Sequence, residues 1–369
     1  MKIAVDARTL GSKPSGIGMY LNDFLVEFTK YDDIEWVLIT DVAESEYIKR
    51  FQAMGLKVVE MGTPVYKSLE VYSYFAFVKR ELKKINPDVF WEVNNLFPVK
   101  LKGNFKTMVT IHDMFPIEHI EYFGRLYSVY FKMNVKKTLK YADMILYNSE
   151  QSKKSTEKYY PEAKKIPNCI GYIISNPLSR YVEPKDDNFF LYVGNMEKRK
   201  GVDILVKAYR QYRMNGGKRP LILAGKIQEP DIETLIEDTL ADVEGFSYLG
   251  YVTHTQRYDL YNNCSAFVFP SMAEGFGMPV LEVMKHYKPI LVSNLPIFDE
   301  VEGECIERFD ATGSDDHKVD SLAQSLAALD DKIESKENMV DKEKYREVLE
   351  RYTPERLGEM VRKFIFGQV

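Results

Sequence analysis

Short apolar runs return along this chain, separated by segments whose apolar residues recur every three or four positions. Runs at residues 2–6, 36–40, 57–61, 89–93, 107–112 and 144–147 have the length and the β-branched or aromatic content of buried strands. Helical patterns lie between them. Tyr20, Leu21, Phe24, Leu25 and Phe28 share one face, and residues 68–84 repeat that spacing. A second series begins at residues 189–194 and continues at 221–225, 246–249, 266–269 and 289–293. Strands alternating with helices predict an α/β fold with parallel sheets covered on both faces, which take ligands at the strands' carboxyl ends.

The two series are separated by Ser175 to Asn188, a polar stretch broken by Pro177 and Pro184, which reads as a domain linker. The chain has 369 residues, which suits two domains of roughly 150 to 200 residues each. The expected domains are 1–180 and 188–352. Thr353-Pro354-Glu355 reads as a helix cap, a first-turn proline and a first-turn acid, and Leu357, Met360, Val361, Phe364 and Ile365 form one apolar face of a last helix, 353–369. Residues 310–344 are acidic and helical and suggest no chemistry.

Composition narrows the class. Hydrophobic residues make up 45% and charged residues 28%, as in a globular protein. Met1-Lys2-Ile3-Ala4-Val5-Asp6 meets a charge after three apolar residues, and no apolar run approaches the roughly 20 residues of a membrane span, so neither a signal peptide nor a spanning helix is expected. Cys169, Cys264 and Cys305 lack metal-ligand spacing and read as reduced, buried thiols of a cytoplasmic protein. A net charge of −5 argues against a nucleic-acid partner. The charge is uneven, with 26 Lys plus Arg against 21 Asp plus Glu in residues 1–180, and 24 against 34 in residues 181–369.

The richest chemistry follows the apolar run 266–269. Glu274 stands just past a strand end, Gly275 and Gly277 free the turn for positive φ, and Pro279 suits the first turn of a helix. Amides in such a turn attract an anion, and Glu282, eight residues after Glu274, adds a second hydroxyl acceptor. A phosphate cradle flanked by two carboxylates fits a nucleotide sugar. An ordinary helix cap with two solvated glutamates would give the same spacing.

Glu274-Gly275-Phe276-Gly277-Met278-Pro279-Val280-Leu281-Glu282 resembles the Glu-x7-Glu signature of retaining GT-B glycosyltransferases of the large family-four group, which builds bacterial polysaccharides. The resemblance implies two Rossmann-like domains facing a cleft, with the last helix crossing back to the N-terminal, acceptor-side domain. It also implies that Glu274 faces the donor sugar and that Glu282 binds the ribose.

Four further segments fit this resemblance. Ser15-Gly16-Ile17-Gly18 opens a helix after the first strand but carries Leu21 where a dehydrogenase fingerprint needs a third glycine; family members often have a similar Gly-x-Gly that lets the backbone approach donor or acceptor. His112 ends a strand, with Asp113 beside it to fix its tautomer, and the family's His-Asp at this place touches the donor sugar. Lys198-Arg199-Lys200 puts three cations at a helix start, a poor choice for the helix dipole unless an anion binds there, and the family's Arg-Lys, matched by Arg199 and Lys200, holds the donor diphosphate. Residues 122–141 interleave Tyr127, Tyr130, Phe131 and Val135 with Arg125, Lys132, Lys136, Lys137 and Lys140; a core helix with a basic face explains them, and an anionic membrane surface is the second reading.

The expectation is therefore a retaining hexosyltransferase in which His112 and Glu274 act at the sugar and Gly16, Gly18, Asp113, Arg199, Lys200, Gly275, Phe276, Gly277 and Glu282 bind substrate. No Asp-x-Asp stands at a strand end, so cations and amides are expected to replace a metal, and no cofactor is expected beyond the nucleotide-diphosphate sugar. The donor remains open between GDP-mannose and UDP-hexoses, with Ser-Gly-Ile-Gly and Arg-Lys-Gly favouring mannose, and the acceptor is a glycan or polyprenyl-linked oligosaccharide. Peripheral contact with the inner membrane face goes with that acceptor. The alternatives are a nucleotide-sugar 2-epimerase and a non-catalytic nucleotide-sugar-binding or scaffold subunit, while a glycogen-type phosphorylase would need a longer chain.

Overall fold

A computed structural model describes the chain except for residues 13–14, 66–67, 102, 173–184, 302, 304, 338 and 369. The expected linker therefore lies, from Ser175 to Pro184, outside the described residues. The chain divides into two compact units, Met1–Asn176 with Tyr352–Val369, and Pro177–Arg351.

The first unit is built on seven parallel strands: β1 (Lys2–Asp6), β2 (Glu35–Thr40), β3 (Lys57–Glu60), β4 (Val89–Glu92), β5 (Lys106–Ile111), β6 (Met144–Tyr147) and β7 (Asn168–Ile170). Their order is β3-β2-β1-β4-β5-β6-β7. The second unit has β8 (Phe190–Val193), β9 (Leu221–Ala224), β10 (Phe246–Tyr248), β11 (Ala266–Phe269), β12 (Ile290–Ser293) and β13 (Glu307–Phe309), ordered β10-β9-β8-β11-β12-β13 and again all parallel. Each sheet reverses its order of growth beside its first strand, which is the Rossmann-like arrangement. Two Rossmann-like sheets, one in each unit, are what the sequence led us to expect.

The central strands are apolar throughout because helices cover both faces. Every residue of β4, β8 and β11 is buried. In the first unit Phe24 meets Trp91 edge-on at 5.5 Å and Phe28 stacks on Trp36 at 6.1 Å, so the amphipathic face of the helix Gly16–Phe28 closes one side of the sheet. The edge strands β7 and β13 escaped the sequence reading. Each has three residues, Asn-Cys-Ile and Glu-Arg-Phe, too short and too polar to register as an apolar run.

The helix Pro354–Ile365 packs on the helix Gly16–Phe28 and on β7, within the first unit. Arg362 pairs with Asp33 and lies 4.9 Å from the ring centroid of Tyr31. Gly171 allows this approach, since a Cβ there would stand 2.5 Å from Val361 Cγ2. The aromatic, basic segment forms two helices, Ile120–Phe123 and Arg125–Tyr141, because Gly124 at φ 78° breaks it. Among the cysteines only Cys264 is fully buried, while Cys169 and Cys305 are half-buried. Burial raises the Cys169 thiol to about 11 and Cys264 to about 12, which keeps both protonated and unreactive. Among the described residues no helix is long and apolar enough to cross a membrane.

Candidate active site

The turn after β11 brings together residues 74 positions apart. Lys198–Lys200 forms a single 3-10 turn whose last step, Gly201, takes φ 65° and lies so close to the end of β11 that a Cβ would stand 2.0 Å from the Pro270 carbonyl oxygen. The Met272 amide donates to the Arg199 carbonyl at 2.9 Å, fixing one segment on the other.

Lys200 then reaches Glu274, and the two form an ion pair with side-chain exposures of 17% and 8%. The Ser271 hydroxyl donates to the same carboxylate oxygen at 2.9 Å, and the Lys200 ammonium sits 5.4 Å from the Phe269 ring centroid. Arg199 donates to the Ala273 carbonyl at 3.0 Å and to Glu197 at 2.6 Å. A cationic fork thus grips the loop immediately before Glu274. Ser271 itself is buried, and its carbonyl accepts from the Ser293 hydroxyl at 2.5 Å, which ties the loop to β12.

The three cations at this helix start are not left unpaired, in contrast to what the sequence suggested. Their conflict with the helix start is met by the protein's own carboxylates: Lys198 pairs with Asp231 at 2.8 Å, Arg199 with Glu197, and Lys200 with Glu274. The conflict by itself therefore does not demand a bound anion.

Of the two glycines in the turn, Gly277 alone takes positive φ, at 90°, and caps the helix Met278–Met284. Gly275 does not use the freedom predicted for it. Phe276 is buried, so what it can offer a ligand is its backbone. Glu282 lies on that helix, accepts from the Tyr261 hydroxyl at 2.9 Å and pairs with Arg257 at 3.4 Å. One carboxylate is held at the turn and the other a little over one helical turn into the helix.

In the first unit, His112 follows β5 and is buried. Its Nε2 lies 2.8 Å from the Val93 carbonyl oxygen, and its ring meets Tyr20 edge-on at 5.0 Å. Burial lowers its pKa to about 4, so the ring is neutral at pH 7. A carbonyl can only accept, which places the proton on Nε2 and leaves Nδ1 as a hydrogen-bond acceptor. The expected role of Asp113 is thereby corrected. The chain turns after β5, Asp113 Oδ1 accepts from the Phe115 amide at 3.2 Å at the start of the next helix, and the Val93 carbonyl holds the tautomer instead.

Gly18 has a packing reason of its own. A Cβ there would lie 2.0 Å from the Thr9 carbonyl oxygen, and its amide caps onto the Ser15 hydroxyl at 3.3 Å. Gly16 is exposed, with nothing within 4 Å of where its Cβ would be. Sequence reasoning missed Ser271, Tyr261 and Arg257, which hold the two glutamates and carry no motif. The Lys226 ammonium, in the turn after β9, lies 4.8 Å from the Tyr251 ring centroid. Among the described residues no group of three or more His, Cys, Asp or Glu side chains converges as a metal site.

Two family models match the chain, "Glycosyltransferase Family 4" over residues 14–170 and "Glycosyl transferases group 1" over residues 178–346. O-antigen chain mannosyltransferase RfbU of Salmonella typhimurium is 24% identical over 314 residues, covering 80% of this chain and 83% of that protein. O-antigen chain mannosyltransferase B of Escherichia coli is 30% identical over 241 residues, covering 61% and 62%. The chain also matches the serotype-specific mannosyltransferase WbdA of E. coli at 31% identity over 54% of its own length, but spans only 26% of that protein. Among solved structures, Anabaena HepE in complex with UDP and glucose aligns over the whole of both chains with a TM-score of 0.75 at 16% identity. WaaG, a glycosyltransferase of lipopolysaccharide biosynthesis, does so at 0.69 and 15%. With the two sheets in Rossmann-like order and a matched model on each of them, this chain belongs to the family-four glycosyltransferases of GT-B fold.

Proposed function

We propose that the chain transfers a hexose, with mannose favoured, from a nucleotide-diphosphate sugar to a glycan or polyprenyl-linked acceptor, with retention of anomeric configuration and without a metal or resident cofactor. The observation that carries this reading is the cluster of Lys200, Ser271 and Glu274, with Arg199 clamping the loop. The mannosyltransferase names of the relatives, RfbU and WbdA, support the sugar. The UDP bound to HepE leaves UDP-hexoses as the competing donor class.

In this reading the donor diphosphate lies against Lys200, Arg199 and the amides of Gly275 to Gly277. Negative charge growing on the leaving phosphate is met by cations already fixed in place, the kind of preorganised stabilisation that supplies the largest share of many rate enhancements. Glu274, held by Lys200 and Ser271, orients the sugar and offsets positive charge at the anomeric carbon. Glu282 accepts the ribose hydroxyls. His112, neutral and with Nδ1 as acceptor, takes a hydroxyl of the donor sugar. The acceptor hydroxyl attacks from the face the diphosphate leaves and passes its proton to the departing phosphate, so no side chain acts as nucleophile.

The helix Arg125–Tyr141 supports a peripheral membrane contact. Leu126, Val129 and Met133 are 91%, 58% and 57% exposed and share one face by their spacing. Lys132, Lys136, Lys137 and Lys140, also exposed, continue that surface. An apolar stripe running into basic residues fits an anionic bilayer carrying a lipid-linked acceptor.

The direct test is to incubate the protein with GDP-mannose or UDP-hexoses and a polyprenyl-diphosphate-linked sugar, then read the new linkage by NMR. A product with the donor's anomeric configuration supports the proposal. An inverted product refutes retention, and no transfer from any donor refutes the reaction.

A further inference from the structure

The first sheet carries ionisable groups at the point where its strand order reverses. β1 and β4 are neighbours there, with β2 and β3 to one side and β5 to β7 to the other, and open α/β sheets take ligands in the crevice beyond such a pair. Asp6 ends β1 and Glu92 ends β4, one rung beyond the paired Val5 and Trp91. Both carboxyls are buried.

Asp6 Oδ1 accepts from the Tyr74 hydroxyl at 2.7 Å and from the Arg8 amide at 2.9 Å, and Glu92 Oε1 accepts from the Asn94 amide at 3.0 Å. The other oxygens, Asp6 Oδ2 and Glu92 Oε2, meet no donor among the described residues. Glu92 lies within side-chain hydrogen-bond reach of Asp6, so a proton on Glu92 can bridge the two carboxyls. Burial above all, and then the charge of Asp6, hold Glu92 well above the usual carboxylate range and keep that proton on it.

Arg8 is the cation of this crevice. Its guanidinium lies 4.9 Å from the Tyr74 ring centroid and 5.8 Å from that of Phe75, half-buried, and it donates no hydrogen bond to any described residue. Five N–H donors in a partly desolvated place, with no acceptor among the described residues, suit an oxygen-bearing ligand. Tyr72 meets the Phe75 ring edge-on at 6.4 Å, its hydroxyl lies within reach of that of Tyr130, and Tyr130 is within electrostatic reach of Arg8. With Glu92 neutral, Arg8 and Asp6 balance, while Asp41 is already taken by Ser12 and by the amides of Val42 and Val65. The crevice therefore lacks the excess positive charge that a phosphate would need. A donor fork among tyrosines suits the hydroxyls and apolar face of a sugar ring.

We infer that Arg8, Tyr72 and Tyr130 form a subsite for a neutral hexose ring of the acceptor, with Arg8 donating to two of its hydroxyls. This rests on the transferase reading. Tyr130 lies on the same helix that exposes Leu126, Val129 and Met133, so a lipid-linked sugar would meet the subsite beside its anchor.

The test uses the full chain and the methyl glycosides of mannose, glucose and galactose, with binding read by saturation-transfer NMR. At least one glycoside should bind the wild type, Arg8→Gln should weaken it roughly tenfold or more, and Tyr130→Phe should weaken it less. Should Arg8→Gln fail to fold, as judged from its thermal midpoint, Tyr130→Phe alone carries the comparison. No glycoside binding to the wild type, undiminished binding by the variants, or inorganic pyrophosphate binding at Arg8 instead would overturn the inference. GDP and UDP titrated into the same wild-type sample judge the other unit. If neither binds, the transferase reading falls, and the glycosides still decide the case of Arg8.

Discussion

Lys200 and Glu274 sit 74 residues apart in the chain and share an ion pair at the end of β11. In the proposed reaction the pair holds the carboxylate for the sugar and the ammonium for the diphosphate, so each group positions the other. Lys200→Ala leaves Glu274 without its cation and the leaving group without its charge partner. Turnover should fall by about 10²- to 10³-fold. Steady-state kinetics checks this, and a wild-type kcat would remove Lys200 from the mechanism.

His112 should not titrate across the working range. Its folded pKa, about 4, lies below the unfolded value of 6.5, so the unfolded chain takes a proton first as the solution is acidified. The stability held by the neutral ring is present above 6.5 and is lost as pH falls toward about 4. Imidazole nitrogen shifts should report the Nε2–H tautomer from about pH 5.5 to about pH 8. A titration inside that window would contradict the buried, carbonyl-bonded ring.

Glu92 gives the opposite slope. Its folded pKa is raised, so its contribution is full below the unfolded value, near 4.5, and is lost as pH rises through the folded value. Asp6, Arg8 and Tyr74 are the ionisable groups that face it. Glu92→Gln keeps a donor toward Asp6 and cannot ionise. The variant should gain thermal stability relative to wild type as pH rises from 5 to 8, in a scan of melting temperature against pH. Parallel curves for the two proteins would mean that no proton is stored there.

The exposed stripe of the helix Arg125–Tyr141 predicts binding to vesicles of anionic phospholipid. Sedimentation should capture the wild type at low salt and release most of it at about 0.5 M salt, where charges are screened within a few ångströms. Replacing Leu126, Val129 and Met133 by Ser should abolish capture without lowering the melting temperature, because these side chains already face solvent. Equal capture of the triple variant would assign the stripe another role.

Both sheets and the Glu274 turn were legible because a buried parallel strand, a glycine and a helix-start proline each have a sequence-local signature. β7 and β13 were not, since Asn-Cys-Ile and Glu-Arg-Phe are short and polar and such an edge strand needs only its neighbour's backbone. The partners of the site residues were equally hidden. Val93 rather than Asp113 holds His112 because the turn after β5 decides the matter, and side-chain order along the chain does not record that turn. Asp6 was visible as a strand end, but its pairing with Glu92 depends on β4 lying beside β1, a fact of sheet order that only the folded chain contains.

The most direct test of the account is a thermal-shift panel of GDP, UDP, ADP and their common sugar conjugates, with EDTA present, on wild type and Glu282→Gln. A ligand that binds only the folded state raises its melting temperature, by several degrees at about a hundredfold excess over Kd. Gln at 282 still accepts from Tyr261, so a changed response reports the ribose contact and not a collapsed helix. The account predicts a shift by the GDP or UDP series alone, unaffected by EDTA and largely lost in Glu282→Gln. Shifts that vanish with EDTA, or that persist in full in the variant, would contradict a metal-free donor site built on Glu274 and Glu282.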